Sequence, residues 1–124
     1  MAQTLILAAL LAAQSAAPVV LVEARGDRVD VGYSELAAGQ PQAAIERIQA
    51  NRAVDANDPA ALINLGAAHA RMGDLADART FLAAAIASPD RYDLQLADGR
   101  WMDSRRAARL AMSQLQEGKT LAVR

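Results

Sequence analysis

Apolar residues recur every three or four positions through the middle of the chain, which is the spacing that places side chains on one face of an α-helix. The stretch from Pro59 to Pro89 contains two such segments, separated by Gly73 and Asp74. Asp58 before Pro59 predicts a helix start, because the carboxylate accepts unpaired backbone N–H groups and proline is tolerated in the first turn. Gly73 predicts a left-handed helix end, and Pro89 predicts the end of the second helix. The pattern therefore predicts two helices joined by a tight turn.

Each of the two helices has an apolar stripe that we expect to be buried. In the first helix the stripe consists of Leu62, Ile63, Leu65, Ala68 and Met72. In the second it consists of Ala78, Leu82, Ala85 and Ile86. Small residues at Gly66, Ala78 and Ala85 indicate that the two helices pack closely.

The same arrangement occurs once more upstream, at an interval of 34 residues. Gly39 precedes Gly73 by that interval. Six further pairs agree under the same shift: Val31 with Leu65, Gly32 with Gly66, Ala44 with Ala78, Ile48 with Leu82, Ala50 with Ala84, and Ala53 with Ala87. In the upstream copy we expect a short first helix from Val29 to Ala38 and a second helix opening at Gln40-Pro41. A period of 34 residues is typical of helix–turn–helix repeats that stack on their neighbours.

The second copy resembles a tetratricopeptide repeat. The resemblance rests on Leu62-Ile63-Asn64-Leu65-Gly66-Ala67-Ala68-His69, then Gly73-Asp74-Leu75, then Ala78. Leu62 stands where that family usually has Trp, and His69 where it has Tyr. The resemblance implies an all-α fold of antiparallel helix–turn–helix repeats that form a short solenoid. The two copies span 29–58 and 59–89.

After the repeats, the sequence pattern of residues 90–124 predicts a hairpin or a turn, followed by a closing helix. Ser104 to Gln116 has the apolar spacing of a closing amphipathic helix. Tyr92 to Met102 alternates apolar and polar residues around an Asp-Gly pair, which favours a two-stranded hairpin, with a helical turn as the alternative. Trp101 is expected to cap the core between hairpin and helix, with an exposed anchor for a partner as the alternative.

The amino-terminal region has the features of an export signal. Leu5 to Ala13 is an apolar run, and small residues follow it, so we expect a signal peptide over 1–17 and a linker over 18–28. Cleavage after Ser15 or Ala16 is favoured over cleavage before Pro18. The alternative is an Ala/Leu-rich helix that remains and packs. Export from a bacterium would place the protein in the periplasm or outside the cell.

Composition narrows the candidate chemistry. The chain has no Cys, so it has neither a thiolate nucleophile nor a Cys-based metal site. Thirteen basic and fourteen acidic residues argue against a general nucleic-acid binder. His69 is the only histidine, and we interpret it as a packed core side chain because neither Leu65 nor Gly73, four positions away, is a ligand. We therefore expect no catalytic residues, no cofactor and no metal.

Basic residues cluster near the closing helix. They are Arg100, Arg105, Arg106 and Arg109. We expect a solvated face that is partly paired with Asp98 and Asp103, and a site for an acidic partner or for lipid headgroups is the alternative.

The resemblance also implies where a partner would bind. In tetratricopeptide repeats the first helix of each pair lines a concave face, and its outward stripe contacts the ligand. The positions carried over as the partner-binding stripe are Tyr33, Ala60, Ile63, Asn64, Ala67 and Arg71, with Asp30 and Ala37 beside Tyr33. Asn64 and Arg71 lie two turns apart, so both could bind the backbone or carboxylate of an extended peptide.

The expected function is that of a non-enzymatic exported adaptor that binds a protein or peptide. The alternative is a self-assembly module that forms a homo-oligomer or joins an envelope complex, since stacked repeats need about three copies for stability. We expect no nucleic-acid partner, and no membrane association after signal cleavage.

Overall fold

The computed structural model describes residues 22–23, 31–51 and 54–116. The predicted signal peptide, most of the predicted linker and the residues beyond Gln116 lie outside this range. The described chain is mostly helical, with a small antiparallel sheet before the last helix. Among the described helices, none combines the length and the apolar character needed to cross a membrane.

The second helix pair follows the predicted limits closely. Helix α3 spans Pro59–Arg71 and helix α4 spans Leu75–Ala87. The Asp58 carboxylate accepts a hydrogen bond from the Ala61 amide at 3.0 Å, and the Asp74 carboxylate accepts one from the Asp77 amide at 3.4 Å. These are the two helix-capping contacts expected from the sequence.

The first helix pair is shorter than predicted. Helix α1 spans only Tyr33–Ala37, whereas the sequence pattern predicted Val29 to Ala38. The helix starts late because Gly32 has a φ of 72°, a left-handed conformation that interrupts helical geometry just before Tyr33. Helix α2 spans Pro41–Ala50, with proline in its first turn as expected.

One contact is repeated in both helix pairs. A Cβ atom added to Gly32 would lie 3.2 Å from the Cβ of Ala44 and from the Cδ1 of Ile48. In the second pair, a Cβ atom on Gly66 would lie 2.8 Å from the Cγ of Leu82 and 3.3 Å from the Ala78 carbonyl oxygen. These residues are the ones that the 34-residue shift superimposes. Both pairs therefore use a glycine to bring two helices close at the same register position.

The carboxyl-terminal part forms the predicted hairpin and closing helix. Strand β2 spans Asp93–Leu96, strand β3 spans Trp101–Asp103, and helix α5 spans Ser104–Gln116. The two strands are antiparallel, and the turn between them contains Gly99 with a φ of 87°. The hairpin preference is confirmed over the helical-turn alternative.

A third strand was not predicted. Strand β1 spans Val22–Glu23, within the predicted linker, and pairs antiparallel with β2. The sheet order is β1-β2-β3, so β2 is central. Its residues alternate in burial: Leu94 and Leu96 are buried, whereas Asp93 is exposed and Gln95 is partly exposed. One face of the sheet thus joins the core.

Side-chain hydrogen bonds connect the hairpin to the second helix pair. The Tyr92 hydroxyl donates a hydrogen bond to the second oxygen of the Asp58 carboxylate, which also caps α3. Burial raises the pKa of the Tyr92 phenol well above its ordinary value, and the Asp58 hydrogen bond adds to this effect. Arg105 on α5 donates a hydrogen bond to the Ser88 carbonyl at 3.1 Å, close to the end of α4. The hairpin, the closing helix and the second helix pair therefore share one core.

Candidate functional site

The predicted partner-binding stripe lies mostly inside the molecule. Ala60, Ile63 and Asn64 have no exposed surface, and Ala67 is 1% exposed. The expectation that this face of α3 points to solvent is therefore wrong for these four residues, whereas the burial of Ile63 agrees with its place in the predicted apolar stripe. The opposite stripe is not more deeply buried: Leu62 is 8% exposed and Leu65 is 7% exposed.

Helix α3 is buried on nearly every side because it is the central helix. It contacts α1, α2, α4, α5 and strand β1. Met72, expected in the buried stripe, is 49% exposed because it lies in the turn after the last residue of α3. The spacing of large apolar residues identifies one buried face of a helix. A second buried face lined by small residues such as Ala60 and Ala67 is not recognised, because alanine occurs on both buried and exposed faces.

The two polar members of the stripe bind backbone carbonyl groups of the same chain. The Asn64 Nδ2 group donates a hydrogen bond to the Val31 carbonyl oxygen at 2.9 Å. The Arg71 Nη1 group donates one to the Leu36 carbonyl oxygen at the end of α1. Both side chains thus donate hydrogen bonds to backbone carbonyls, as was expected toward an extended peptide. The acceptors, however, are Val31 and Leu36 of the same chain.

Partial exposure remains at the two ends of the stripe. Tyr33 is partly exposed and packs against the core, and Arg71 is partly buried. Burial lowers the pKa of the Arg71 guanidinium, and its Nε atom has no hydrogen-bond partner among the described residues. An arginine stays charged under these conditions, so a buried charge is held here by the Leu36 carbonyl. The hydrogen bond to Leu36 places the Arg71 guanidinium against α1, the helix that begins at Tyr33.

A second group of side chains in contact forms around His69. The imidazole stacks on Phe81 with ring centroids 5.1 Å apart and an interplanar angle of 23°. Its Nδ1 atom lies 3.4 Å from the Asp74 Oδ2 atom and 3.9 Å from the Asp77 Oδ2 atom. His69 is therefore packed as expected, but the sequence argument missed both carboxylates. Both carboxylates lie beyond the turn at Gly73, which returns the chain and places the start of α4 beside the end of α3, so the spacing along α3 alone does not indicate them.

The two carboxylates in this group influence one another. A hydrogen bond from the Asp77 side chain lowers the pKa of Asp74, whereas the neighbouring Asp74 raises the pKa of Asp77. Within the described residues, His69, Asp74 and Asp77 form a group with one ligand atom each within 4.8 Å of one another, as a metal ion would require. Both carboxylates are largely exposed, and Asp74 already caps α4. Capping and a hydrogen-bonded carboxyl pair account for this arrangement without an ion.

The arginines near the closing helix pair only in part with the acidic residues that the sequence suggested. Arg100 pairs with Asp98 at 2.6 Å, as predicted. Asp103 pairs instead with Arg91, at 2.7 Å, and accepts hydrogen bonds from the backbone amides of Arg105 and Arg106. Arg106 and Arg109 are exposed.

Trp101 does not cap the core. It is 51% exposed on β3, opposite Gln95 on the outer face of the sheet. Its neighbour Met102 is opposite the buried Leu94 and packs against the core instead. The interpretation of Trp101 as a core residue is therefore wrong, because the alternation of the strand turns it outward.

A groove of about 380 Å³ lies between the two helix pairs. Its described lining is largely apolar and comprises Ile48, Gln49, Asn51, Val54, Asp55, Ala56, Ala61, Leu62, Leu65 and Phe81. This groove is on the side of α3 opposite to the predicted binding stripe. Sequence reasoning missed it, since Leu62 and Leu65 were assigned to the core.

Comparisons with known proteins add no family to this description. The chain matches no family model, and neither the curated proteins nor the solved structures contain a significant match.

Proposed function

We propose that the protein is a non-enzymatic exported adaptor, built of two tetratricopeptide-like helix pairs, that binds a protein or peptide partner. The observation that carries this proposal is the repeated glycine contact, Gly32 against Ala44 and Ile48 and Gly66 against Leu82. It supports a genuine structural repeat of the kind that presents extended surfaces to other chains.

The chemistry of the described residues supports binding over catalysis. His69 is held against Phe81 and two helix-start carboxylates, and no serine hydroxyl is among its contacts in the described part of the chain. Asn64 and Arg71 donate hydrogen bonds to backbone carbonyls of the same chain, so both side chains have structural contacts.

The burial of Ala60, Ile63, Asn64 and Ala67 moves the proposed contact surface to the accessible end of the stripe, at Tyr33 and Arg71. A photo-crosslinking amino acid at Tyr33 tests this in the full chain. The matched control carries the same group at Ala84, which is exposed on α4 away from α1. Circular dichroism would first establish that both variants fold like the parent chain.

Both variants would be irradiated in an envelope extract of the source organism. We expect a discrete crosslinked product from the Tyr33 variant that the Ala84 variant does not give. The same products from both positions, or none from either, would overturn the proposed surface.

The alternative function is self-assembly. The observation that favours it is the pairing of β1 with β2, two segments that are far apart in sequence, because such a pairing can also form between two copies of the chain. Light scattering across a concentration series distinguishes a monomeric adaptor from an obligate oligomer.

A further inference from the structure

We propose that His69, Asp74 and Asp77 form a binding site for a divalent transition-metal ion with affinity for imidazole, such as Zn²⁺, and that the Nδ1 atom of His69 is its nitrogen ligand. The three side chains come from the last turn of α3 and the start of α4, on either side of the turn at Gly73. This inference goes beyond the proposed adaptor function and does not depend on it.

The three ligand atoms are spaced nearly as a tetrahedral ion requires. Bonds from zinc to nitrogen and to carboxylate oxygen are about 2.0–2.2 Å long, so two ligands of one tetrahedral ion lie about 3.3–3.6 Å apart. The Nδ1 atom of His69 is 3.4 Å from the Oδ2 atom of Asp74. It is 3.9 Å from the Oδ2 atom of Asp77, whose exposed side chain can rotate closer. Binding of an ion therefore requires little rearrangement.

The Nδ1 atom of His69 is the observation that points to a ligand. It is buried and has no hydrogen-bond partner among the residues that the structure describes. A buried polar atom in this state has lost its hydrogen bonds to water without a replacement, which costs free energy. The stacking of the imidazole on Phe81 holds the ring in this orientation, with Nδ1 toward both carboxylates. A bound ion would give this nitrogen the partner that the described residues do not supply.

The carboxylates can bind an ion while they keep their structural contacts. Asp74 caps α4 through its Oδ1 atom, at 3.4 Å from the Asp77 amide nitrogen, whereas its Oδ2 atom faces His69. A helix start carries about half a positive charge, which the charge of two carboxylates exceeds, so the local field still favours a cation. Since the cap and the hydrogen bond between the carboxyl groups maintain this geometry without an ion, the site is preformed.

The set of donor atoms selects the class of ion. One imidazole and two carboxylates suit Zn²⁺, which binds nitrogen and oxygen ligands in four-coordinate sites. Ca²⁺ takes roughly six to eight oxygen ligands, and Mg²⁺ demands octahedral geometry and keeps most of its waters, so this group suits neither. The Asp74 and Asp77 side chains are exposed, so an ion can enter from solvent and water can fill the fourth position.

Zinc titration of the full-length chain, prepared without a polyhistidine tag, tests the proposal. Isothermal titration calorimetry with Zn²⁺ should show saturable binding of one ion per chain, and excess Mg²⁺ should not compete. Because His69 is the only histidine, NMR of the imidazole nitrogens reports on this site alone. The spectra of the zinc-bound protein should show Nδ1 coordinated and Nε2 protonated, whereas adventitious binding to a surface histidine would not require Nδ1.

Two variants, Asp74→Asn and Asp77→Asn, each remove one carboxylate ligand. Asparagine at position 74 still caps α4, and the change at position 77 affects an exposed side chain, so circular dichroism should show a parental fold. Loss of even an outer partner of a metal ligand weakens binding by roughly tenfold to a hundredfold, so each variant should lose at least about tenfold in zinc affinity. The matched control is Asp93→Asn, an exposed carboxylate on β2, which should bind zinc like the parent chain.

Absence of zinc binding, or coordination through Nε2 in place of Nδ1, would overturn the proposal. Parental zinc affinity in either ligand variant, or an equal loss in Asp93→Asn, would overturn it as well, because the ion would then be bound elsewhere or by diffuse surface charge. If Asp74→Asn does not fold, Asp77→Asn alone decides. None of these results bears on the Tyr33 crosslinks, which report the adaptor function separately.

Discussion

The two helix pairs share one register but differ in where the corresponding glycine lies relative to the first helix of the pair. In the second pair, Gly66 lies within a 13-residue helix, and its missing side chain lets α4 approach. In the first pair, Gly32 makes the corresponding contact with Ala44 and Ile48 but stands before a helix of five residues. Both pairs thus have this glycine contact with their second helix, although α1 has five residues and α3 has thirteen. The comparison shows that packing register and helix length are determined separately.

The shorter first helix is linked to the burial of the second pair. The residue before Gly32 is Val31, whose carbonyl is bound by Asn64 in the middle of α3. A longer α1 would carry this backbone into a helix and remove the carbonyl from its partner. The first pair therefore lies at the edge, whereas α3 of the second pair is the centre of the molecule.

The largest expected difference between the pairs concerns the side chains that face the two glycines. Leu82→Ala should lower the free energy of unfolding by about 3–4 kcal/mol, because Leu82 is 2% exposed within the central pair. Ile48→Ala should cost about 2 kcal/mol, because Ile48 borders the groove between the pairs and the site can relax.

Urea denaturation of both variants measures this difference. Arg79→Ala, at an exposed position on α4, is the control and should change stability by no more than about 0.5 kcal/mol. Equal losses for Leu82→Ala and Ile48→Ala would contradict the central and peripheral roles of the two pairs.

Asn64→Ala tests the contact that joins the two pairs. The substitution leaves the Val31 carbonyl without its donor in a buried environment, so it should cost about 2 kcal/mol. Asn57→Ala, at an exposed asparagine, should cost less than about 0.5 kcal/mol. A wild-type unfolding midpoint for Asn64→Ala would restore the sequence-based expectation of a solvent-facing asparagine.

The turn glycines test what the pairs have in common. Gly39 and Gly73 have φ values of 73° and 81°, and an added Cβ atom would meet no atom within 4 Å at either position. At these positions alanine differs from glycine only in the backbone strain of a positive φ. Gly39→Ala and Gly73→Ala should therefore each lower the free energy of unfolding by about 1–2 kcal/mol. Thermal denaturation should give losses that agree within about 0.5 kcal/mol, and a larger gap would mean that the turns are not equivalent.

Tyr92→Phe tests the connection between the hairpin and the second pair, and should cost about 1 kcal/mol at neutral pH. The native state holds the phenol neutral because burial raises its pKa, whereas the unfolded chain releases the proton near pH 10. Ionisation therefore favours the unfolded state above that pH, and stability falls by up to about 1.4 kcal/mol per pH unit.

The variant lacks this group, so wild type should lose stability more steeply than Tyr92→Phe between pH 10 and 11. Urea midpoints at pH 8, 10 and 11 give the comparison. Parallel decline of the two proteins would show that the Tyr92 phenol is accessible to solvent in the native state.

Local signals in the sequence predicted several element limits well. Asp58 and Pro59 mark the start of α3, and the predicted closing helix from Ser104 to Gln116 coincides with α5. The Asp-Gly pair predicted the hairpin turn at Gly99. In each case the residues that determine the structure are adjacent to the feature they determine.

The errors arose where distant segments meet. Nothing near Asn64 in sequence indicates that the Val31 backbone lies against its face of α3, so the exposure of Asn64 was predicted wrongly. His69 was judged from its own helix, although Asp74 and Asp77 reach it across the turn. A search across the Gly73 turn, and not only along the helix, could have found those two carboxylates.

The pairing of β1 with β2 also has a consequence for synthesis on the ribosome. Glu23 leaves the ribosome 72 residues before Gln95, its partner in the sheet. At about 5–20 residues per second, roughly 4 to 14 s pass before that partner has been made. The residues of the second helix pair precede Gln95 in the chain, so they are made within this interval. The first strand to be translated is thus among the last to find its place, and during this delay it is available to chaperones and to neighbouring nascent chains.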